Sequence, residues 1–493
     1  MQEETNSRDD FYNYYGYLES DPLKEEIIKC HKDLAKNLEP SKDKLEESIK
    51  QLKKEEEDRL ERLRACTMIR KILSMGVDPK VIEAVIDLGG VEKLVDIVKT
   101  SKEQLLRCEA SWCLVNLLVG EEKHVNALSK KGVGQVLNDC LLDDYLAVVE
   151  QSVWGVGNYA CSGIYYRDQL LDLGALESLV KIYEKYKFLA KAKQFNKQLI
   201  WAASNLLRLK PAPEQTNMAC AVPMFCQVFK IEMKRYCETS RGRMDVPCNL
   251  IDSNFSLSKI KEKSLTFQMV SLGVVKLIVD MFVAKPYKES PIVVTYPCAK
   301  ILENIMDKRK SICDKVVKSG LLAKILPLLD SQDRRVKLKV CKVLSSFTLG
   351  SKYNLSEIFV KKPQILEKVM ILCTDENPEV RMEAVSLIFN MTDRIKRNEL
   401  GYLLRENVIG LLRNILDSDQ EAFVEILALK SLLNLLEGTV TWFGASNDTQ
   451  NPLSEKLERI GLAKLIRQSL ARLKESGRGL NLQDRFKQYL EED

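Results

Sequence analysis

An all-α fold built as an extended array of helical repeats is what this sequence predicts, and three observations predict it. The chain has 493 residues, well beyond the size at which a single compact core keeps growing. A phrase in which a glycine precedes an apolar face at helical spacing returns along the chain: DLGGVEKLVDIV (87–98), KKGVGQVLNDCLL (130–142), DLGALESLVKI (172–182), SLGVVKLIVDMF (271–282), KSGLLAKILPLL (318–329) and RIGLAKLIRQSL (459–470). About 20 to 30 residues after most of these comes a second amphipathic helix with an asparagine late in its length.

The glycine fits a residue that ends one helix in the left-handed conformation before the next begins. The asparagines stand at 116, 158, 205, 304, 390 and 434, with Ser346 in the same place between two of them. Successive separations are 42, 47, 99, 42, 44 and 44 residues, the 99 being two units plus an excess of about 15. A period near 40–47 made of helices alone belongs to the armadillo/HEAT class. One unit of this kind cannot bury its apolar face, so stacked neighbours make the core continuous. The expected fold is a right-handed superhelical armadillo-repeat solenoid of about nine or ten repeats, spanning residues 63–475.

Residues 1–62 read as a charged lead-in. Over residues 1–64 there are 13 Lys/Arg against 18 Asp/Glu, a net of −5, and few large apolar residues. The stretch from Ser41 to Arg64 suits a solvated helix with lysines and glutamates paired three or four residues apart. A polar insertion is expected around residues 238–263, where Pro247 interrupts the helical text. Residues 476–493 read as a C-terminal tail.

Composition excludes several function classes. A formal charge of +5 on 493 residues is not the concentrated basic footprint of a nucleic-acid protein. The 14 cysteines include no Cys-x-x-Cys pair, which argues against a disulfide framework and a zinc site. Cys113, Cys298 and Cys341 fall in apolar helical patterns, where a thiol acts as a small hydrophobe. The opening MQEETNSRDD is polar and acidic, unlike a signal peptide, and no apolar window is long enough to span a membrane. A reducing compartment, cytoplasm or nucleus, is the expected location. His31 and His124 are the two histidines, too few for most acid–base or metal chemistry; His124, in GEEKH, reads as a surface residue. GVGQ (132–135) and GVGN (155–158) lack the pattern of a phosphate loop. The lysines at 181, 185, 187, 191, 193 and 197 form a basic stretch, either a solvated edge or a surface for an acidic partner. No enzyme site, metal or cofactor is expected.

The constellation that carries chemistry is aromatic. Three of the four tryptophans stand at one place in the repeat, each four residues before an asparagine: Trp112/Asn116, Trp154/Asn158 and Trp201/Asn205. Residues i and i+4 share a helix face, so stacked repeats would turn these pairs into a ladder. Asparagine amides can pair with the backbone of an extended peptide. Indoles can flank the stems of lysines and arginines, with cation–π attraction of roughly 0.5–2 kcal/mol. The same asparagines could instead brace the turns of the array.

At these residues the sequence resembles the importin-alpha family, armadillo adaptors that carry cargo with lysine-rich nuclear localisation signals. EQSVWGVGN (150–158), YYRDQLLDLGALESLV (165–180) and IWAASNLLRLKPAPE (200–214) carry the resemblance most closely, and PIVVTYPCAKILENI (291–305) carries it further on. It covers about four-fifths of the chain. It implies that Trp112, Asn116, Gly120, Gln151, Trp154, Asn158, Gln198, Trp201 and Asn205 line a peptide-binding groove on the concave face, with the Gly120 carbonyl accepting from a cargo lysine. It implies cargo proteins with basic extended segments as partners, and nuclear protein import as the role.

The chain departs from the family pattern at named positions. Val125 stands where the family has a threonine, and Ser162 where it has an aspartate beside the lysine. Lys342 and Ser386 replace the tryptophans of a second groove, and Ser346 replaces its first asparagine while Asn390 remains. The net acidic lead-in stands in place of the basic segment that binds an importin-beta carrier. A rival reading is an armadillo scaffold in a cytoskeletal or other non-transport assembly.

Overall fold

The computed structural model describes most of residues 42–490; segments 1–24, 26–41, 239–262, 351–362 and 444–450 and several shorter ones lie outside the described residues. The expected insertion around 238–263 falls almost wholly there. The regular secondary structure of the described residues is all helical, with no strand among them, and the fold is an all-α armadillo solenoid. It divides into two compact units, Met1–Phe225 and Cys226–Asp493.

The first unit holds α1 (Lys42–Leu52), α2 (Arg59–Ser74), α3 (Pro79–Asp87), α4 (Gly90–Thr100) and α5 (Gln104–Leu117). It continues through α6 (Glu122–Lys130), α7 (Val133–Asp139), α8 (Leu146–Cys161), α9 (Ile164–Asp172), α10 (Ala175–Tyr186) and α11 (Lys193–Leu206). From α3 on, the pattern is two short helices and one longer one, three times over. The junction between the two short helices is a glycine in the left-handed region: Gly89 (φ 68°), Gly132 (φ 78°) and Gly174 (φ 76°). A side chain there would crowd the following carbonyl, so the sequence phrase marks a backbone requirement. The long helices α2, α5, α8 and α11 pack on one another in order, burying Leu114, Val153, Val156 and Leu199 completely.

The lead-in contains more than charge. Leu45, Ile49 and Leu52 of α1 are buried against α2, so this helix is a cap on the stacked core and not the solvated helix expected from its Lys/Glu-rich text. Terminal repeats need such a cap, because the outermost apolar face has no neighbour.

The second unit continues from α12 (Val222–Glu238), which runs across the boundary, through α13 (Lys263–Ser271), α14 (Val274–Ala284), α15 (Ile292–Met306), α16 (Leu321–Ile325) and α17 (Arg334–Gly350). Then follow α18 (Gln364–Leu372), α19 (Pro378–Thr392), α20 (Arg397–Arg405), α21 (Val408–Asp417), α22 (Ala422–Phe443), α23 (Pro452–Arg459), α24 (Leu462–Glu475) and α25 (Leu480–Phe486). Its left-handed junctions are Gly273, Gly320 and Gly461, together with Asn407 at φ 59°. Asparagine is the non-glycine residue that visits this region most readily. Here the long helices α15, α17, α19 and α22 pack in succession. The residues read as a tail also close a core end: Leu482, Phe486 and Leu490 are buried.

Cys113, Cys298 and Cys341 are fully buried, as their apolar settings suggested, and burial raises the Cys341 thiol to about 12. No described helix is long and apolar enough to cross a membrane.

Candidate functional site

Trp112, Trp154 and Trp201 lie on α5, α8 and α11, the three consecutive long helices of the first unit. Each is half-buried. The indoles therefore form a row, one per repeat, partly open on the face that these helices present.

Two of the three have specific seats. The Arg70 guanidinium sits over the Trp112 ring at 4.3 Å, held by a 2.6 Å ion pair with Glu109, whose side chain is completely buried. One face of Trp112 thus already carries a cation supplied by the preceding repeat. Trp201 rests on Gly157 of α8: a Cβ built at Gly157 would lie 2.2 Å from Cζ3 of the indole. Only glycine lets the ring come this close to the neighbouring backbone.

The asparagines reach backwards. The Asn116 amide donates to Ser74 Oγ at 2.9 Å and to the Arg70 carbonyl at 3.4 Å. Asn158 donates to the Val115 carbonyl at 3.5 Å, and Asn205 to the Gly157 carbonyl at 3.1 Å. Each asparagine ties its long helix to the one before. Asn116 and Asn158 are half-buried, whereas Asn205 is 1% exposed, so its amide is not offered to a peptide on this surface. Gln151 and Gln198 are half-buried three residues before Trp154 and Trp201, and Gly120 is half-buried beyond the end of α5.

The positions that depart from the family pattern are equally defined. Val125 is 1% exposed and belongs to the core. Ser162 donates to the Asn158 carbonyl of its own helix at 3.0 Å, so it adds no charge to the row. His124 corrects the surface reading: it is 2% exposed, its Nδ1 accepts from the Glu121 N–H at 3.0 Å, and its ring fills the space beside Gly120. Among the described residues no cluster of His, Cys, Asp or Glu could hold a metal ion.

An armadillo/beta-catenin-like repeat model matches residues 78–119, the stretch that carries α3, α4 and α5. Importin subunit alpha-2 of Arabidopsis thaliana is 31% identical over 167 residues, 34% of this chain and 30% of that protein. Importin subunit alpha-8 of the same organism is 23% identical over 383 residues, 76% of this chain and 78% of its own. The chain has the armadillo-repeat fold and is similar to importin subunit alpha proteins at low identity. A crystal structure of an engineered protein shares the fold, with a TM-score of 0.66 at 19% identity over 90% of this chain and 97% of that one. The stronger alignment, to alpha-2, spans less than a third of that relative's length.

In this armadillo protein several positioning residues escaped sequence reasoning. Arg167 is completely buried and donates to the carbonyls of Arg208 and Pro211 at 2.7 and 2.8 Å. It fixes the chain as it leaves α11, the helix that carries Trp201. Arg70 and Glu109 left a faint signal: a charged residue at a core position on each of two neighbouring long helices, which stability allows only when they meet.

Proposed function

We propose that this armadillo protein is a binding adaptor that holds a basic, extended segment of a cargo protein across Trp112, Trp154 and Trp201, and that it serves nuclear protein import, moving between cytoplasm and nucleus. The observation that supports this most is the row itself: three half-buried indoles at one register on three packed helices. Leucine and isoleucine would fill a core at least as well, so partly open indoles at a fixed spacing favour a ligand. Arg70 over Trp112 is an internal example of the contact that a cargo lysine or arginine would make.

The asparagine geometry changes how the segment would be held. Asn205 is a brace, so backbone recognition falls to Asn116, Asn158, the glutamines and the Gly120 carbonyl. With the Ser162 hydroxyl bonded back to the Asn158 carbonyl and Glu109 paired with Arg70, no carboxylate is fixed against the row by these two positions. Selection for basic side chains then rests on the indole faces. The affinity for a single lysine-rich stretch should accordingly be micromolar rather than nanomolar. The net acidic lead-in lacks the basic run by which an importin-beta carrier would hold it. Nothing in the reading requires a catalytic group.

Fluorescence anisotropy of a labelled lysine-rich peptide tests it. The intact protein should give a saturable curve with a Kd of about 1–50 μM, equivalent to roughly 6–8 kcal/mol. Trp154→Ala/Asn158→Ala should weaken it at least about tenfold. Equal binding by both proteins, or none by either, would leave the scaffold reading in its place.

A further inference from the structure

The row of indoles has a fourth member on α2, and it is a guanidinium. Trp154 stands 42 residues after Trp112, and the same step backwards leads from Trp112 to Arg70 and from Asn116 to Ser74. The Asn116 amide donates to Ser74 Oγ at 2.9 Å and to the Arg70 carbonyl at 3.4 Å, so the register is physical as well as numerical. We propose that the Trp112 ring and the Glu109 carboxylate form a complete slot for a cationic side chain, which Arg70 fills from within, closing the row at α2. The proposal deepens the basic-segment reading and rests on it for its consequence: the segment is read from Trp112 towards α11 and not back onto α2.

Three features make the slot. The Arg70 guanidinium lies 4.3 Å from the Trp112 ring centroid, where a cation meets the negative face of an indole. Its Nε donates to Glu109 Oε2 at 2.6 Å, a charge-assisted bond. The Glu109 side chain is completely buried and that of Arg70 is 10% exposed, so solvent screens the attraction little. An aromatic face, a carboxylate and exclusion of water are the means by which a protein holds an arginine of its ligand.

The next two long helices are built differently. Three residues before the three tryptophans stand Glu109, Gln151 and Gln198. At this register only α5, the helix that faces Arg70, carries an acid. On α8 and α11 the residue is a neutral amide, and one repeat earlier stands an indole, Trp112 or Trp154, in place of a guanidinium. A buried carboxylate needs its counter-charge in place, so Glu109 suits a slot that is always filled. An amide needs none, so Gln151 and Gln198 suit slots that empty when a ligand leaves. Oε1 of Gln151 is buried and has no hydrogen-bond partner among the described residues, an acceptor in want of a donor. Bracing alone explains the Arg70–Glu109 pair less well. Apolar residues of similar volume hold a buried contact at least as firmly, and Asn116 already ties α5 to α2.

Arg70→Ala in the intact protein empties the slot and tests the proposal in two ways. Ethylguanidinium at about 10 mM should raise the variant's unfolding midpoint by about 3–6 °C, saturably, because it binds the folded state. The wild type, with its slot filled, and Arg70→Met/Glu109→Met, with its slot uncharged, should not respond. The second readout is anisotropy of a labelled lysine-rich peptide extended at either end by one arginine, or by one alanine. The wild type should bind all forms within about twofold, whereas Arg70→Ala should prefer one arginine form at least about fivefold. If Arg70→Ala does not fold, as judged by far-UV circular dichroism, Arg70→Ala/Glu109→Gln gives α5 the amide of α8 and α11, and the same peptide preference is expected of it. No response to ethylguanidinium, or a preference for arginine as large in the wild type as in the variants, would overturn the proposal and leave the adaptor reading in place. Stabilisation by ethylguanidinium with no peptide bound by any of the proteins would overturn the adaptor reading and leave the slot.

Discussion

Glu109→Ala should lower the unfolding transition of the first unit by about 10 °C. Glu109 is completely buried and pairs with Arg70, itself nearly buried, at 2.6 Å. Removing the carboxylate takes the counter-charge from a nearly buried guanidinium, and breaking one side of such a pair costs about 3–5 kcal/mol. In a unit of about 200 residues each kcal/mol moves the midpoint by about 2–4 °C. The Trp112 ring offsets some of the loss, since it still faces Arg70 at 4.3 Å. Replacing both partners with Met removes the charge along with its counter-charge, and Arg70→Met/Glu109→Met should lie much closer to the wild type. Circular-dichroism melts of the three proteins decide the matter. A single variant within about 1 kcal/mol of the wild type would mean that the pair is dispensable.

Gly157→Ala should destabilise the protein although alanine is the better helix former. The added methyl would meet three carbons of the Trp201 ring at 2.2–2.8 Å, far inside contact distance. An indole has no flexible end to swing aside, so either the ring or α8 must move, at about 1–3 kcal/mol. The helix propensity gained, about 1 kcal/mol, does not cover the larger part of that range. Gly401→Ala is the control, because its Cβ would meet only Arg405 Nη1 at 3.8 Å; there the propensity gain should appear as added stability. Opposite signs at the two glycines, read by urea denaturation, are the expected result. A displaced Trp201 should also shift tryptophan emission to the red and weaken lysine-rich peptide binding. Two variants of equal stability would show that Trp201 does not rest on Gly157.

These seats explain what the text of the chain could and could not reveal. Glycine before each second short helix was legible because the left-handed turn admits few residues, and all six marked glycines occupy it. Asn407 makes the same turn within RENVIGLL, and it was passed over because the phrase was sought through glycine. The capping residues Leu45, Ile49 and Leu52 recur at helical spacing, but lysines and glutamates around them masked the stripe. Similar spacing joins Leu482, Phe486 and Leu490 near the other end. His124 sits among charged neighbours, so composition pointed outward while the ring turned in to accept from the Glu121 N–H.

The indole row was legible because tryptophan is rare and its register repeats. The role of the asparagines was only half legible. Their recurrence in the second unit, at Asn390 and Asn434 without tryptophans, was a sign of bracing: those two make the same backward bonds as Asn116, Asn158 and Asn205. A residue type present with and without the indoles serves the array first and the ligand second.

The central claim is that a basic segment lies against these particular indoles. Selective 15N labelling of tryptophan gives one indole N–H resonance for each of Trp112, Trp154, Trp201 and Trp442, assigned by single Trp→Phe variants. Trp442 serves as reference, since it lies on α22 with its Nε1–H donating to the Ile395 carbonyl at 3.2 Å. On titration with a lysine-rich peptide, the Trp154 and Trp201 signals should move together and saturate. Trp112, with Arg70 over one face, should move less, and Trp442 should stay in place. No movement of Trp154 or Trp201 at saturating peptide, or movement of Trp442 alone, would contradict the account.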